Sequence, residues 1–261
     1  MKRAVGITLI AAGLLFVASC DDDDGPGQFR YPMRPGTEWY YTRSLTRVGD
    51  SGTFSDYNIE TIVRVGPQVQ VGTLGLATSL DITDEDGYFG SQFYQNREDG
   101  LFSVGHCGSA ATVTPKRLSA LIGNSQISKA LEAADIVSFG NCDGRPIIGD
   151  DDTPLALPYP MRIGHDWLYR EVEELSWVIR KANRGWDTVR VGAGKFDAYQ
   201  IEWYYIGGPA SVHIIDDVCA LGLLRRTITI DSVEVRDLEH PGGTGEYETW
   251  IETLFLDSLK R

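Results

Sequence analysis

An eleven-residue segment that occurs twice constrains this chain more than any other feature. Tyr31 to Tyr41 reads YPMRPGTEWYY and Tyr159 to Tyr169 reads YPMRIGHDWLY, with seven of the eleven positions identical. Further along, VQVGTLGL at Val69 to Leu76 is answered by VRVGAGKF at Val189 to Phe196, a weaker match in the same order. The two correspondences are in register and about 120 to 130 residues apart, far above the roughly 20 to 50 residue period of solenoid repeats, and they indicate a duplicated unit. In each copy the proline fixes the backbone ahead of a strand and the glycine permits a tight turn. The tryptophan and the tyrosine two residues on share one strand face, so Trp39 and Tyr41, like Trp167 and Tyr169, are expected to point inward.

Alternation with a period of two continues through Tyr199, Ile201, Trp203 and Tyr205, through Ile228 and Ile230, and through Tyr247, Thr249, Ile251 and Phe255. Such patterns belong to half-buried antiparallel strands. Asn183-Arg184-Gly185, between Trp177 and Trp186, carries hairpin-turn chemistry, and Gly207-Gly208-Pro209 carries loop chemistry. One stretch breaks the pattern: Leu118, Leu121 and Ile122, then Ile127, Ala130, Leu131 and Ala134, recur at helical spacing. The expected fold is therefore mainly β, a curved antiparallel sheet or half-barrel with an internal duplication and a short helical insert at about 115–137. Residues 29–139 read as the first β unit, the Gly-, Asp- and Pro-rich 140–158 as a connection, and 159–259 as the second unit, packed with the first as one domain.

The first nineteen residues follow a different logic. Lys2 and Arg3 precede an apolar run from Ala4 to Ala18, and Val17-Ala18-Ser19 stands directly before Cys20. That is the order of a secretory signal peptide, and the run is shorter than the roughly 20 residues a spanning helix needs. The string VASC resembles the lipobox of bacterial lipoproteins. The resemblance implies removal of residues 1–19, acylation of Cys20 and a firm anchor, since several acyl chains hold where one is marginal. Asp21 to Asp24 and Gly25-Pro26-Gly27 then read as an acidic tether over 20–28, about ten residues that reach at most ~35 Å. The folded part is expected in the bacterial cell envelope, periplasmic or extracellular. Asp21 resembles an inner-membrane retention signal and the acidic run resembles a surface-export signal, so both membranes stay open.

The chain carries 24 basic and 37 acidic residues, a net charge of −13, and loss of Lys2 and Arg3 takes it to about −15. Such a surface repels phosphate and offers no polybasic cluster, which argues against nucleic acid and against charge-driven adhesion to anionic lipid. The expected partners are a membrane, through the lipid anchor, and an apolar ligand or an envelope protein.

The YPMR-x-G-x-x-W openings, VGAGKFDAYQIE at Val191 to Glu202, and Gly222-Leu223-Leu224-Arg225-Arg226 before a late strand together resemble uncharacterised bacterial envelope lipoproteins. Some of these are TapB-like and, more remotely, similar to the LolA and LolB lipoprotein-carrier half-barrels. The resemblance implies a half-barrel fold and an apolar ligand, and transfers no catalytic residue.

Catalytic and metal signatures are missing from the sequence. His106, His165, His213 and His240 lie too far apart for a zinc pair, and Asp84-Glu85-Asp86-Gly87 fails the calcium-loop register. Gly194-Lys195 lacks the first glycine of a phosphate loop, and neither GxSxG nor HExxH occurs. Glu173-Glu174 and Asp216-Asp217 are adjacent carboxylates, which point opposite ways on a strand. No cofactor, metal or catalytic residue is expected. After lipidation three cysteines remain. Cys107 and Cys142 sit among glycines in what read as adaptable loops, and Cys219 lies beside a strand where a thiol can be buried. The expected disulfide joins Cys107 and Cys142, closing a loop of about 35 residues worth ~4 kcal/mol, with three unpaired cysteines as the other outcome. The function read from all this is a membrane-anchored binding or scaffolding module. A structural envelope lipoprotein without a small ligand, or a hydrolase with a dispersed site, are the competing readings.

Overall fold

The structure, a computed structural model, describes residues 29–85, 89–108, 125–134, 153–235 and 243–261. Twelve strands form one sheet. In chain order they are β1 (Glu38–Gly49), β2 (Gly52–Val71), β3 (Gly75–Asp84), β4 (Phe89–Asn96), β5 (Gly100–Gly108) and β6 (Leu155–Pro158), followed by β7 (Asp166–Val172), β8 (Trp177–Val191), β9 (Gly194–Ile206), β10 (Val212–Cys219), β11 (Gly222–Glu234) and β12 (Tyr247–Lys260). The spatial order β6-β5-β4-β3-β2-β1-β12-β11-β10-β9-β8-β7 is two six-stranded meanders joined at their ends. Each YPMR segment leads into the first strand of its meander, and the second sequence match falls on the β2–β3 hairpin in one half and the β8–β9 hairpin in the other. Trp39 and Trp167 are both buried, as are Tyr41 and Tyr169. The Trp39 indole N–H donates to the Leu221 carbonyl at 2.6 Å and that of Trp167 to Leu155 at 2.9 Å. Tyr31 and Tyr159, the first residues of the two copies, also meet: the Tyr31 backbone N–H donates to the Tyr159 hydroxyl at 2.9 Å.

The halves join through β1 and β12, antiparallel over eleven residue pairs. The sheet then curls until its other two ends, β6 and β7, lie side by side, giving a nearly closed ring. Duplication alone would pair β6 with β7 as it pairs β12 with β1. Pro154, Pro158 and Pro160 bracket β6 and hold it to four residues, because proline lacks the N–H a ladder needs. Side chains bridge the joint instead. The Trp167 indole reaches Leu155, and Lys181 Nζ donates to the Ala156 carbonyl at 3.3 Å.

Three expectations change. Asn183-Arg184-Gly185 is not a hairpin turn. It is a bulge inside the continuous β8, where pairing slips between Asn183 and Gly185 and the Gly185 N–H donates to Asn183 Oδ1 at 3.1 Å. Turn-forming residues serve a bulge equally well, since both need a left-handed glycine. On β12 the buried face is Glu248, Trp250, Glu252 and Leu256, while Tyr247 is 60% exposed. The apolar phase through Tyr247, Thr249 and Ile251 faces outward, because the interior of the ring takes charged partners. Cys107 lies on β5 opposite Ser91, not in a loop. Its side chain, Cys142 and Cys20 fall outside what is described, so the disulfide and the anchor do too.

The loop at Gly207-Gly208-Pro209 forms as expected between β9 and β10. Within the helical insert, Ser125–Ala134 is helix α1. It buries Ile127, Ala130 and Leu131 in the cluster that includes Tyr169 and Trp203, and Tyr205 donates to the Ala130 carbonyl at 2.9 Å.

Gly222 marks the closest packing at the β10–β11 turn. Its φ is +109° and a Cβ there would lie 3.0 Å from Trp39 Nε1, whereas Gly36, at φ +88°, has nothing within 4 Å. Gly36→Ala should therefore cost only the left-handed strain of about 1–2 kcal/mol. Gly222→Ala should add crowding of about 1–3 kcal/mol as Trp39 is displaced. Urea unfolding of both variants checks this, and equal losses would refute the packing of Trp39 on Gly222.

Candidate functional site

The curl encloses a cavity of about 120 Å³ in the lumen of the ring. Every strand contributes to its wall, and Tyr31 closes over it from the first YPMR segment. Most of the surface is apolar, including Val63, Leu80, Leu157 and Leu254, yet charged side chains enter from β1, β8, β10 and β11.

Asp216 and Arg226 face each other as a cross-strand pair on β10 and β11. Arg226 forks onto the carboxylate, Nε to Oδ1 at 2.5 Å and Nη2 to Oδ2 at 2.7 Å, and the Trp203 indole N–H donates to Oδ2 at 2.9 Å. Burial works against the Arg226 charge, but the paired carboxylate outweighs it and raises the guanidinium above its ordinary range. The neighbouring Asp217 points to the other face and pairs with Arg225 at 2.7 Å, so the two adjacent carboxylates do not converge. Burial raises the Asp217 carboxyl, with Arg225 opposing.

Lys181 on β8 is only 4% exposed. Its ammonium sits 3.6 Å from the centroid of Trp203 and 4.0 Å from that of Tyr169, with the Ala156 carbonyl as its hydrogen-bond acceptor. No carboxylate lies within ion-pair distance of it among the described residues. Burial holds it well below the usual lysine range, Asp216 opposing and Arg226 adding to the effect. Rings can attract a cation, but they replace only part of its lost hydration.

Two polar atoms in the wall are without hydrogen bonds: Arg43 Nε on β1 and Thr61 Oγ1 on β2. Arg43 has Glu252 at 3.9 Å, an ion-pair distance but too long for a hydrogen bond. Thr61 is opposite Tyr41 in the β1–β2 register and Arg43 is two residues along the same face, which makes them diagonal neighbours. Tyr41 donates to the Leu223 carbonyl at 2.9 Å and Tyr31 accepts from the Leu223 N–H at 3.3 Å. Burial pushes both hydroxyls above the ordinary tyrosine range, so both stay neutral.

Lys181, Arg43 and Thr61 were not singled out from the sequence, and Asp216 and Arg226 were noted there for other reasons. The signal was present: Lys181 follows Trp177 and Ile179 in the buried phase of β8, Arg43 follows Trp39 and Tyr41, and Arg226 sits between Leu224 and Ile228. A charge on the apolar phase of a strand marks a polar interior. Of the other residues considered, His165 rests beside Trp167 at 5.6 Å and His213 lies 3.8 Å from Asp231, half exposed. Cys219 is buried as expected, its sulfur accepting the Leu221 N–H at 3.4 Å. Among the described residues no three His, Cys, Asp or Glu side chains gather as a metal site, and no helix is long and apolar enough to cross a membrane.

No model of a known protein family matches the chain, and no curated protein sequence matches it. Two solved structures are similar in outline. One is a Bacteroides fragilis protein described as exported with a YmcC-like fold, at 11% identity and a TM-score of 0.40 over 89% of this chain and 99% of that one. The other is a Parabacteroides distasonis protein described as a lipoprotein, at 11% identity and a TM-score of 0.38 over 90% of this chain and 99% of that one.

The Lys181 environment sets a direction for stability. Between its depressed folded value and the ordinary lysine value of about 10.4, the unfolded chain binds the proton and the folded chain does not, so stability rises with pH across that window. Lys181→Met, similar in length and apolar, should raise the thermal midpoint by several degrees near neutral pH. The gain should shrink as pH climbs toward the ordinary lysine value. Unfolding scans of both proteins from pH 6 to 10 test this, and a constant offset at every pH would mean that Lys181 titrates normally.

Proposed function

We propose that this chain is an envelope lipoprotein, acylated at Cys20 and held close to its membrane by residues 20–28, whose folded part binds a small, mainly apolar ligand inside the ring. The observation that carries the binding reading is the lumen, a cavity walled by all twelve strands that contains buried polar atoms without a hydrogen bond. Interiors evolved only for stability pair or exclude such atoms, whereas ligand pockets combine apolar walls with a few convergent polar groups. Binding is preferred to catalysis because Asp216 and Asp217 are each engaged by an arginine and face apart. The carrier-like resemblance of the strand motifs agrees with an apolar ligand. The size argues for a ring or a short chain: about 120 Å³ is near the roughly 150 Å³ of an engineered cavity that takes benzene, and below the ~300 Å³ at which drug-sized pockets begin.

The anchor is tested by Cys20→Ser, which should abolish palmitate labelling and release the protein from washed membranes. Label and attachment that persist in the variant would end the lipoprotein assignment. For the lumen, native mass spectrometry of protein extracted gently from its own membranes should show a bound small molecule that leaves on unfolding. A filled-cavity variant such as Thr61→Phe should lose that mass while keeping its fold. An adduct unchanged in Thr61→Phe would place the ligand elsewhere.

A further inference from the structure

We infer that the ligand of the lumen carries one anionic group, a carboxylate or an equivalent oxyanion, received by Lys181 in a wall that also holds the Arg43 Nε and Thr61 hydroxyl without hydrogen bonds. The inference rests on the reading of the lumen as a ligand pocket and adds the chemistry of what fills it. The wall holds donors with unused capacity. Asp216 is taken by Arg226 and Trp203. Lys181 Nζ, which can donate three hydrogen bonds, makes one, at 3.3 Å. Arg43 Nε makes none, and the Thr61 hydroxyl, in a residue 1% exposed, makes none. A purely apolar guest would leave the spare donor capacity of Lys181 unused, whereas a carboxylate offers acceptor sites for it. The protein as a whole carries −13, yet the charges in the cavity wall are Arg43, Lys181 and Arg226 against Asp216 alone, with Glu252 behind Arg43. An amine buried without a carboxylate beside it regains its charge at least cost when an anion arrives to meet it.

The arrangement also couples binding to a proton. The groups facing Lys181 are the Tyr169 and Trp203 rings, the Ala156 carbonyl, and the mutually paired Asp216 and Arg226. With the lumen lacking an anion, burial favours the neutral amine; an adjacent carboxylate restores the ammonium. An anion bound where the empty lumen holds the amine neutral therefore brings a proton with it, and affinity falls as pH rises through that window.

Benzoate is a suitable probe, with benzamide as its neutral counterpart, titrated calorimetrically into the detergent-extracted full protein in two buffers of different ionisation heat, from pH 6 to 8.5. The inference expects benzoate to bind about tenfold or more tightly than benzamide, as one charge-assisted contact allows. It also expects uptake of up to one proton and weakening as pH rises. Lys181→Met should erase the preference and the proton uptake while leaving benzamide binding in place. Lys181→Arg should keep the preference without proton uptake, because arginine stays charged. Equal binding of the two probes would overturn the anion inference and leave the lumen as a pocket for apolar ligands. A benzoate preference that survives Lys181→Met would overturn it by placing the anion site elsewhere. Binding of neither probe, as for a lumen that holds only water, would overturn both this inference and the pocket reading on which it stands.

Discussion

The ladder between β1 and β12 joins the first strand of the described chain to its last, and among the described residues no other backbone ladder links the two six-stranded halves. Such a contact forms only after the whole chain has been brought round, so its entropy cost is met late and favours slow folding. What makes it worth forming is its inner face. Trp39, Tyr41 and Leu45 on β1 are buried with Trp250 and Leu256 on β12, and between them Arg47 reaches Glu248 at 3.3 Å while Arg43 approaches Glu252. A junction made only of apolar residues would tolerate slippage by two. Interleaved charges penalise every register but one.

Much of this was legible in the sequence because the duplication repeats its own punctuation. YPMR-x-G-x-x-W announced two strand entries, and the match of VQVGTLGL with VRVGAGKF announced a duplicated β unit, which in the structure is two six-stranded meanders. Local turn chemistry was less dependable. Gly185 supplies its positive φ and Asn183 its side-chain acceptor whether the chain reverses or merely bulges, and only the partner strand decides which.

The candidate site was illegible for a more interesting reason. Sequence reading assigns strand faces by hydrophobicity, and the interior here violates that rule at Arg43, Lys181, Arg226, Glu248 and Glu252. On β12 the violation was strong enough to reverse the assigned face. Each charge is placed by alternation with large apolar neighbours, so the backbone dictates its position while its chemistry opposes burial. Residues retained against their own solvation energy are the ones whose reason lies in function. Met at position 181 would suit the fold better.

The ring has twelve joints. Eleven are backbone ladders, and the twelfth, between β6 and β7, is bridged by the Trp167 indole on Leu155 and the Lys181 ammonium on Ala156. Compliance in such a hoop concentrates where it is cheapest, and two side-chain hydrogen bonds at about 1 kcal/mol each yield long before a ladder of eleven residue pairs does. The prolines that shorten β6 thus do more than end a strand. They give an otherwise continuous wall a clasp, and one of its two fingers is the same amine that lines the chamber behind it.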